Sequence, residues 1–269
     1  MTPQSELEQD SISVIRGAWK HLQRLGVLWS MGKDSTLLLW LCRLAFDGEV
    51  PFPVIHVDTG YKFPEMYTFR DTLAATWNLN LKIVKNERAL ADGMNPTLGR
   101  MKCCTALKTE PMYSAVGALS ILGLLTGIRG DEHVVRGKER FYSPRKADGS
   151  WDPTRQPVEF HRAEIIPPRL APDEHCRVHP LLNWTESDVW QYTSYHSIPV
   201  VPLYFSRNGY RYRSLGCVHC TAPEMSEASS ANQIVSELAL QQGYSERHGR
   251  SQDKERIGTM EKLRSLGYM

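Results

Sequence analysis

Two groups of residues in this sequence have types and spacing suited to chemistry. The first is Ser30-Met31-Gly32-Lys33-Asp34-Ser35. Where such a run joins a strand to a helix, backbone N–H groups and the positive end of the helix dipole converge, and an anion is held there. Gly32 lets the backbone approach a ligand, Ser30 and Ser35 offer hydroxyl donors, and Lys33 adds a mobile point charge. The plainer reading is a strand-to-helix turn with a surface lysine. The run lacks the G-x-x-x-x-G-K-[ST] pattern, which excludes a Walker-type phosphate loop. The second group is Cys103-Cys104 together with Cys217-Val218-His219-Cys220. Four thiolates suffice for a tetrahedral sulfur site, and spacing alone leaves zinc, an iron–sulfur cluster, a reversible disulfide and plain buried thiols open. Cys42 lies in an apolar helical stretch and reads as packing; Cys176, in a predicted loop, stays unassigned.

The elements that must position these residues emerge from periodicity. Ile12, Ile15, Trp19 and Leu22 recur at helical spacing with basic residues between them, which predicts an amphipathic helix over about 11–24. Residues 26–30 form a first strand, 35–46 a helix, 53–58 a strand, 63–77 a helix with Pro64 near its start, 81–84 a third strand and 121–126 a further one. Alternating strands and helices build a mostly parallel sheet with helices on both faces, the doubly wound α/β class. Asp58 then falls at the C-terminal edge of a strand, where open sheets place ligand-binding residues, the lesser alternative being a cap of the next turn. Gly127-Ile128-Arg129-Gly130-Asp131-Glu132 comes after the last strand, so the planar fork of Arg129 is a candidate phosphate clamp, with Arg136, Lys138 and Arg140 close in sequence. Beyond Gly127 the prolines between Pro144 and Pro172 and the lack of a sustained period predict a loop-rich region. Thr185 with Asp188 three residues on is a helix-capping signature, and 229–240 is the last apolar-periodic segment. Arg247 and Arg250 belong to a basic tail, either solvated or folded over the ligand as a lid.

Composition bounds the rest. The chain has 269 residues, 41% hydrophobic and 23% charged, with a formal net charge of +2. That is an ordinary globular balance and long enough for a core without disulfide staples. Near-neutral charge announces neither a nucleic-acid nor a membrane surface. No apolar run approaches the ~18–20 residues of a spanning helix, and no secretory signal is visible, so a cytoplasmic protein with no membrane contact is expected. We read residues 1–200 as one α/β domain and 201–269 as a C-terminal segment of the same structural unit.

The motifs also carry a family resemblance. The Ser30–Ser35 run resembles the pyrophosphate loop of the ATP-pyrophosphatase superfamily, with Met31 where glycine is more usual. His56-Val57-Asp58-Thr59-Gly60, Phe63 to Asp71, Gly93-Met94-Asn95-Pro96, Lys138-Glu139-Arg140, Trp151-Asp152-Pro153, Pro180 to Tyr192 and Ser245-Glu246-Arg247-His248-Gly249-Arg250 resemble the ATP sulfurylase small subunit. The chain is thus similar, over nearly its whole length, to the phosphoadenosine phosphosulfate reductase and ATP sulfurylase small-subunit group. The resemblance implies an adenine nucleotide α-hydrolase-like fold and cleavage of ATP between its α- and β-phosphates. The four cysteines instead look like the [4Fe–4S] ligands of adenylylsulfate reductases, while the C-terminal Glu-Cys-Gly-x-His nucleophile of the assimilatory reductases has no counterpart after Cys220.

That combination resembles the ATP-pyrophosphatase component of DNA phosphorothioation systems. It implies ATP at Ser30, Gly32, Lys33, Asp34, Ser35, Asp58, Arg129, Arg247 and Arg250, with Lys33, Asp34 and Arg129 acting in catalysis; Mg²⁺ is expected from the chemistry, shared with the phosphates, and no sequence feature fixes its ligands. It also implies a [4Fe–4S] cluster on Cys103, Cys104, Cys217 and Cys220. The leading expectation is adenylation of an acceptor in sulfur transfer, a DNA backbone phosphate, with a cysteine desulfurase and other modification subunits as partners and a homodimer as a candidate assembly. The alternatives are a sulfate adenylyltransferase small subunit with a GTPase partner, an adenylylsulfate reductase-like enzyme, and a non-catalytic iron–sulfur module.

Overall fold

The computed structural model describes residues 3–134, 136–157, 159, 166–240, 246 and 262. In chain order its elements are α1 (Pro3–Leu22), β1 (Leu25–Leu28), α2 (Lys33–Ala45), β2 (Val54–Val57), α3 (Pro64–Thr76), β3 (Leu81–Val84), α4 (Glu87–Ala91), α5 (Arg100–Cys104), α6 (Glu110–Ala118) and β4 (Gly123–Thr126). Next come β5 (Tyr142–Arg145), β6 (His175–Val178), α7 (Glu186–Tyr195), the two-residue pair β7 (Tyr210–Arg211) and β8 (Glu224–Met225), and α8 (Ala231–Leu240). A π turn, Thr105–Thr109, joins α5 to α6.

The described strands β1 to β6 form one sheet in the order β3-β2-β1-β4-β6-β5, parallel except for β5, which runs antiparallel at the edge. Strand alternation sorts the core into two faces. Val27, Val54 and Leu125 pack with α1, α2, α7 and α8 through Ile15, Leu38, Trp190 and Ile234. Their neighbours Leu28, Ile55 and Leu124 pack on the opposite face against Met112, Ala115 and Val116 of α6. Burial on both faces explains why β1 and β4 read as continuous apolar runs. Thr185 accepts from the Asp188 amide and Asp188 from the Thr185 amide, the reciprocal cap that starts α7. Among the described residues, no helix is long and apolar enough to cross a membrane.

The sequence reading misses three regions. The stretch after Gly127, expected to be loops, contributes β5 and β6 to the sheet, so Cys176 lies in a buried strand rather than a loop. Pro144 is tolerated because β5 is an edge strand. The segment 87–118 forms α4, α5 and α6 where no helix was expected, and α1 starts at Pro3 rather than near residue 11.

Three histidines are buried on or beside this sheet. Burial pushes His56 down to about 4, His175 to about 3 and His179 to about 4 from an ordinary 6.5. Between pH 6.5 and about 4 the unfolded chain therefore binds more protons than the folded one. Stability from these groups is complete above pH 6.5 and is lost as pH falls through that window. Urea unfolding at pH 7.5 and pH 5 is expected to show a loss of about 1–2 kcal/mol per histidine at the lower pH. Unchanged midpoints would contradict the neutral, buried assignment.

Candidate active site

The chain runs outward from β1 to β2 and β3, then returns to place β4 on the other side of β1. The C-terminal ends of β1 and β4 thus form a topological switch point, where open parallel sheets leave a crevice. A cleft of about 1080 Å³, including its open mouth, lies there, lined among others by Ser30, Gly32, Lys33, Asp34 and Ser35 after β1 and by Gly127 and Ile128 after β4.

Hydrogen bonds fix the loop after β1. The Ser30 amide donates to Ser35 Oγ at 3.3 Å, the two serine hydroxyls are 3.1 Å apart, and Ser35 Oγ donates to the Gly32 carbonyl at 3.0 Å. The Lys33 amide donates to the buried Tyr204 hydroxyl at 2.9 Å. Met31 has φ +63°, a left-handed conformation that costs a non-glycine residue about 1 kcal/mol. This accounts for glycine being usual there, and the Met31 side chain is fully buried in the core in compensation. Gly32 has ordinary extended dihedrals, so its value is space beside Ser30 and Tyr204. Gly127 matters through close approach: a Cβ there would lie 2.9 Å from Ser35 Cα and 3.0 Å from the Asp34 backbone.

A buried ionic network closes one end of the cleft. Arg129, fully buried, bonds Asp34 through Nη1, Glu246 through Nη2 and Asp131 through Nε at 2.9 Å. Lys33 Nζ, also buried, donates to Asp34 Oδ2 at 3.0 Å and to Glu246 Oε1. Asp131 in turn accepts from the Glu186 amide at the start of α7 at 2.9 Å, which ties the guanidinium to that helix. Burial alone would lower Lys33, but Asp34 and Glu246 hold it above its ordinary range. Burial would raise Glu246, yet Arg129 and Lys33 hold it well below the usual carboxylate range. One oxygen each of Asp34, Glu132 and Glu246 lies within 4.8 Å of the others. These carboxylates suit a hard cation, but each also pairs with a lysine or arginine, Glu132 with Arg136.

The cysteines do not line the cleft themselves, but Gly216, next to Cys217, does. All four are buried. Burial first, then the nearby Cys104, Cys217 and Cys220, push the Cys103 thiol up to about 11, with Lys108 opposing. That mutual effect puts the four thiols in one neighbourhood, although 113 residues separate the two pairs in sequence. Cys217 Sγ lies 3.2 Å from Thr59 Oγ1, and Cys217 forms a β-bridge with Lys62. Lys62, Lys108 and Gly216 line the cleft. By type these soft donors suit a thiolate-held metal centre, although no three of the four sulfurs lie within the 4.8 Å spacing that groups Asp34, Glu132 and Glu246. Cys176 and Cys42, fully buried elsewhere, are pushed up by burial, Cys176 to about 12, and stand outside this group.

Among the expected site residues, the structure thus brings together Ser30, Gly32, Lys33, Asp34, Ser35 and Arg129. Asp58 does not line the cleft: its Oδ1 accepts from the Gly60 amide and the Tyr67 hydroxyl, both at 2.8 Å, so it caps the turn after β2. Arg247 and Arg250 lie outside the described residues. Sequence reasoning assigned no role to Tyr204, Gly127, Glu132 or Glu246. Glu246 stands within the Ser245–Arg250 motif, and its charge amid Arg247 and Arg250 was the available signal; Tyr204 carries no local signal.

Comparison with known proteins agrees with the geometry. Residues 24–223 match the model of the phosphoadenosine phosphosulfate reductase domain. The chain belongs to that family. It is 38% identical to sulfate adenylyltransferase subunit 2 of Myxococcus xanthus, over 98% of this chain and 96% of that protein. It is 37% identical to the protein of the same name in Rhizobium tropici, over 97% and 92%. Among solved structures, phosphoadenylyl-sulfate reductase from Candida auris superposes with TM-score 0.54 at 20% identity, covering 82% of this chain and 98% of that one. FMN adenylyltransferase from Candida glabrata gives 0.55 at 18%, covering 82% and 65%. The tRNA thiolase NcsA from Methanococcus maripaludis gives 0.50 at 13%, covering 97% and 76%. These structural likenesses show the shared fold. Membership at this identity makes the chain an adenylyl-transferring enzyme.

The network predicts how Glu246 behaves. Its carboxylate bonds both Lys33 and Arg129, so a phosphate group placed on these two cations would have to displace it. Glu246→Gln is expected to lower the melting temperature of the ligand-free protein, because Lys33 and Arg129 lose a buried counter-charge worth about 3 kcal/mol or more. The same change is expected to tighten ATP binding about tenfold by calorimetry. Weaker ATP binding would show that Glu246 instead holds the cations in place for the nucleotide.

Proposed function

We propose that the chain binds ATP in the cleft between β1 and β4 and transfers its adenylyl group to an oxyanion in sulfur metabolism, sulfate being the first candidate. The observation that carries this is the buried pair Lys33 and Arg129 converging on the start of α2 beside the Ser30–Ser35 loop. The relatives' name supports sulfate as the acceptor and, since they are a numbered subunit, a partner subunit. Both fit this alternative better than the DNA-modifying reading expected first.

The β- and γ-phosphates rest on the loop N–H groups and the Ser30 and Ser35 hydroxyls. An acceptor oxygen attacks the α-phosphorus, the bond to the bridging oxygen of the β-phosphate breaks, and pyrophosphate leaves. Lys33 and Arg129 neutralise the charge that develops on it, in a site that is already organised and largely dry. Asp34 keeps both cations oriented. Asp34, Glu132 and Glu246 are the carboxylates that would hold a Mg²⁺ ion, which would supply further charge neutralisation. Pyrophosphate release in the presence of sulfate is expected to fall about 100-fold or more in Lys33→Ala and Arg129→Ala. Variants that retain full rate would sink the assignment.

A second reading is favoured by one observation, the four thiols beside the same cleft. In it, Cys103, Cys104, Cys217 and Cys220 hold a [4Fe–4S] cluster that supplies sulfur or electron relay, and the acceptor is a DNA backbone phosphate served by a cysteine desulfurase. The fold carries such a cluster in the NcsA structure. Anaerobic preparation is expected to yield about four irons per chain and absorption near ~400 nm, both lost in a Cys217→Ser/Cys220→Ser double variant. Pyrophosphate release driven by duplex DNA but not by sulfate would select this reading. An iron-free protein driven by sulfate would dismiss it.

A further inference from the structure

Besides Lys33, the cleft is lined by Arg136, which pairs with Glu132, and by two further lysines. Lys62, in the turn after β2, and Lys108, in the π turn, both line it. Both also adjoin the thiols: Lys62 bridges to Cys217, and Lys108 acts electrostatically on Cys103 and Cys220.

The backbone is built to aim Lys108. The Glu110 amide donates to the Thr105 carbonyl five residues back, the π pattern. The next such bond would run from residue 111 to the Ala106 carbonyl, but Pro111 has no N–H to give. Asn86 Nδ2 takes that carbonyl instead, at 2.9 Å. The extra residue rotates the subsequent helical turns by about 100° relative to an uninterrupted α-helix. Cys103 and Cys104 therefore stay buried among the thiols while Lys108 and Thr109 reach the cleft. Single π turns inside helices are frequent at functional sites.

Adenylyl transfer to an oxyanion supplies a need for such cations. The acceptor brings its own negative oxygen, so it needs no general base, but it must approach an anionic α-phosphate. Lys33 and Arg129 are assigned to the leaving pyrophosphate, so approach requires separate positive charge. We propose that Lys62 and Lys108 form the acceptor subsite, binding a tetrahedral oxyanion on the thiol-flanked side of the cleft. The inference rests on the adenylyl-transfer reading. The acceptor oxygen forms the new bond to phosphorus with its own electron pair, the departing pair leaves on pyrophosphate, and nothing is oxidised or reduced.

The test is calorimetric binding of inorganic sulfate to the full chain saturated with an ATP analogue that cannot be cleaved between its α- and β-phosphates. A second arm uses a short DNA duplex in place of sulfate. Lys62→Met and Lys108→Met are each expected to weaken acceptor binding at least tenfold while the affinity for the analogue changes less than twofold, which also reports that the variants are folded. Lys108→Arg is expected to recover most of the loss. Wild-type binding of sulfate or DNA that the methionine variants retain would overturn the subsite and leave the function intact. Loss of analogue binding in step with acceptor binding would place the lysines on ATP and overturn the subsite too. Binding of neither acceptor by the wild type would overturn the function beneath it.

Discussion

A guanidinium with no solvent exposure at the open end of a parallel sheet is the constraint on which the site depends. Arg129 must be neutralised where it stands, since an uncompensated buried charge costs several kcal/mol. Its three partners come from three separate parts of the chain: Asp34 from the start of α2, Asp131 from the turn after β4, and Glu246 from six residues beyond α8. Satisfying one charge therefore fixes the phosphate loop against β4, and Asp131 extends the tie to α7. Gly127 permits this, because any side chain there would strike the backbone of α2. The network that stabilises the ligand-free site is also the one a polyphosphate would enter, so nucleotide binding exchanges one set of negative oxygens for another.

A second irregularity joins the two chemistries of the molecule. Pro111 removes a helical donor and Asn86 takes the carbonyl left over; the π turn follows directly on Cys103 and Cys104 and carries Lys108. The thiols and the nucleotide cleft thereby share a boundary made of Lys62, Lys108 and Gly216.

Much of the fold was legible in sequence because its signals are local. The third strand has the bounds its apolar run predicts, and the Thr185 cap rests on two side chains three residues apart. β5 and β6 escaped because their residues contradict strand rules: β5 contains Pro144, allowed only by its edge position, and β6 carries His175 and Arg177, buried polar groups that break the apolar pattern. At the site, Lys33, Asp34 and Arg129 were found from residue type and strand-end position. Glu246 and Tyr204 reach the loop from more than 170 residues away, a distance no local pattern spans. Asp58 stands at the strand end, where its Oδ1 accepts from the Gly60 amide and the Tyr67 hydroxyl, the turn-capping task the sequence also offered.

The central claim is that the charge held by Lys33 and Arg129 serves cleavage between the α- and β-phosphates. It is tested most directly by ³¹P NMR of the products formed from ATP during acceptor-dependent turnover. The account predicts pyrophosphate together with an adenylylated acceptor, or AMP from its hydrolysis. ADP and inorganic phosphate as the products would contradict it.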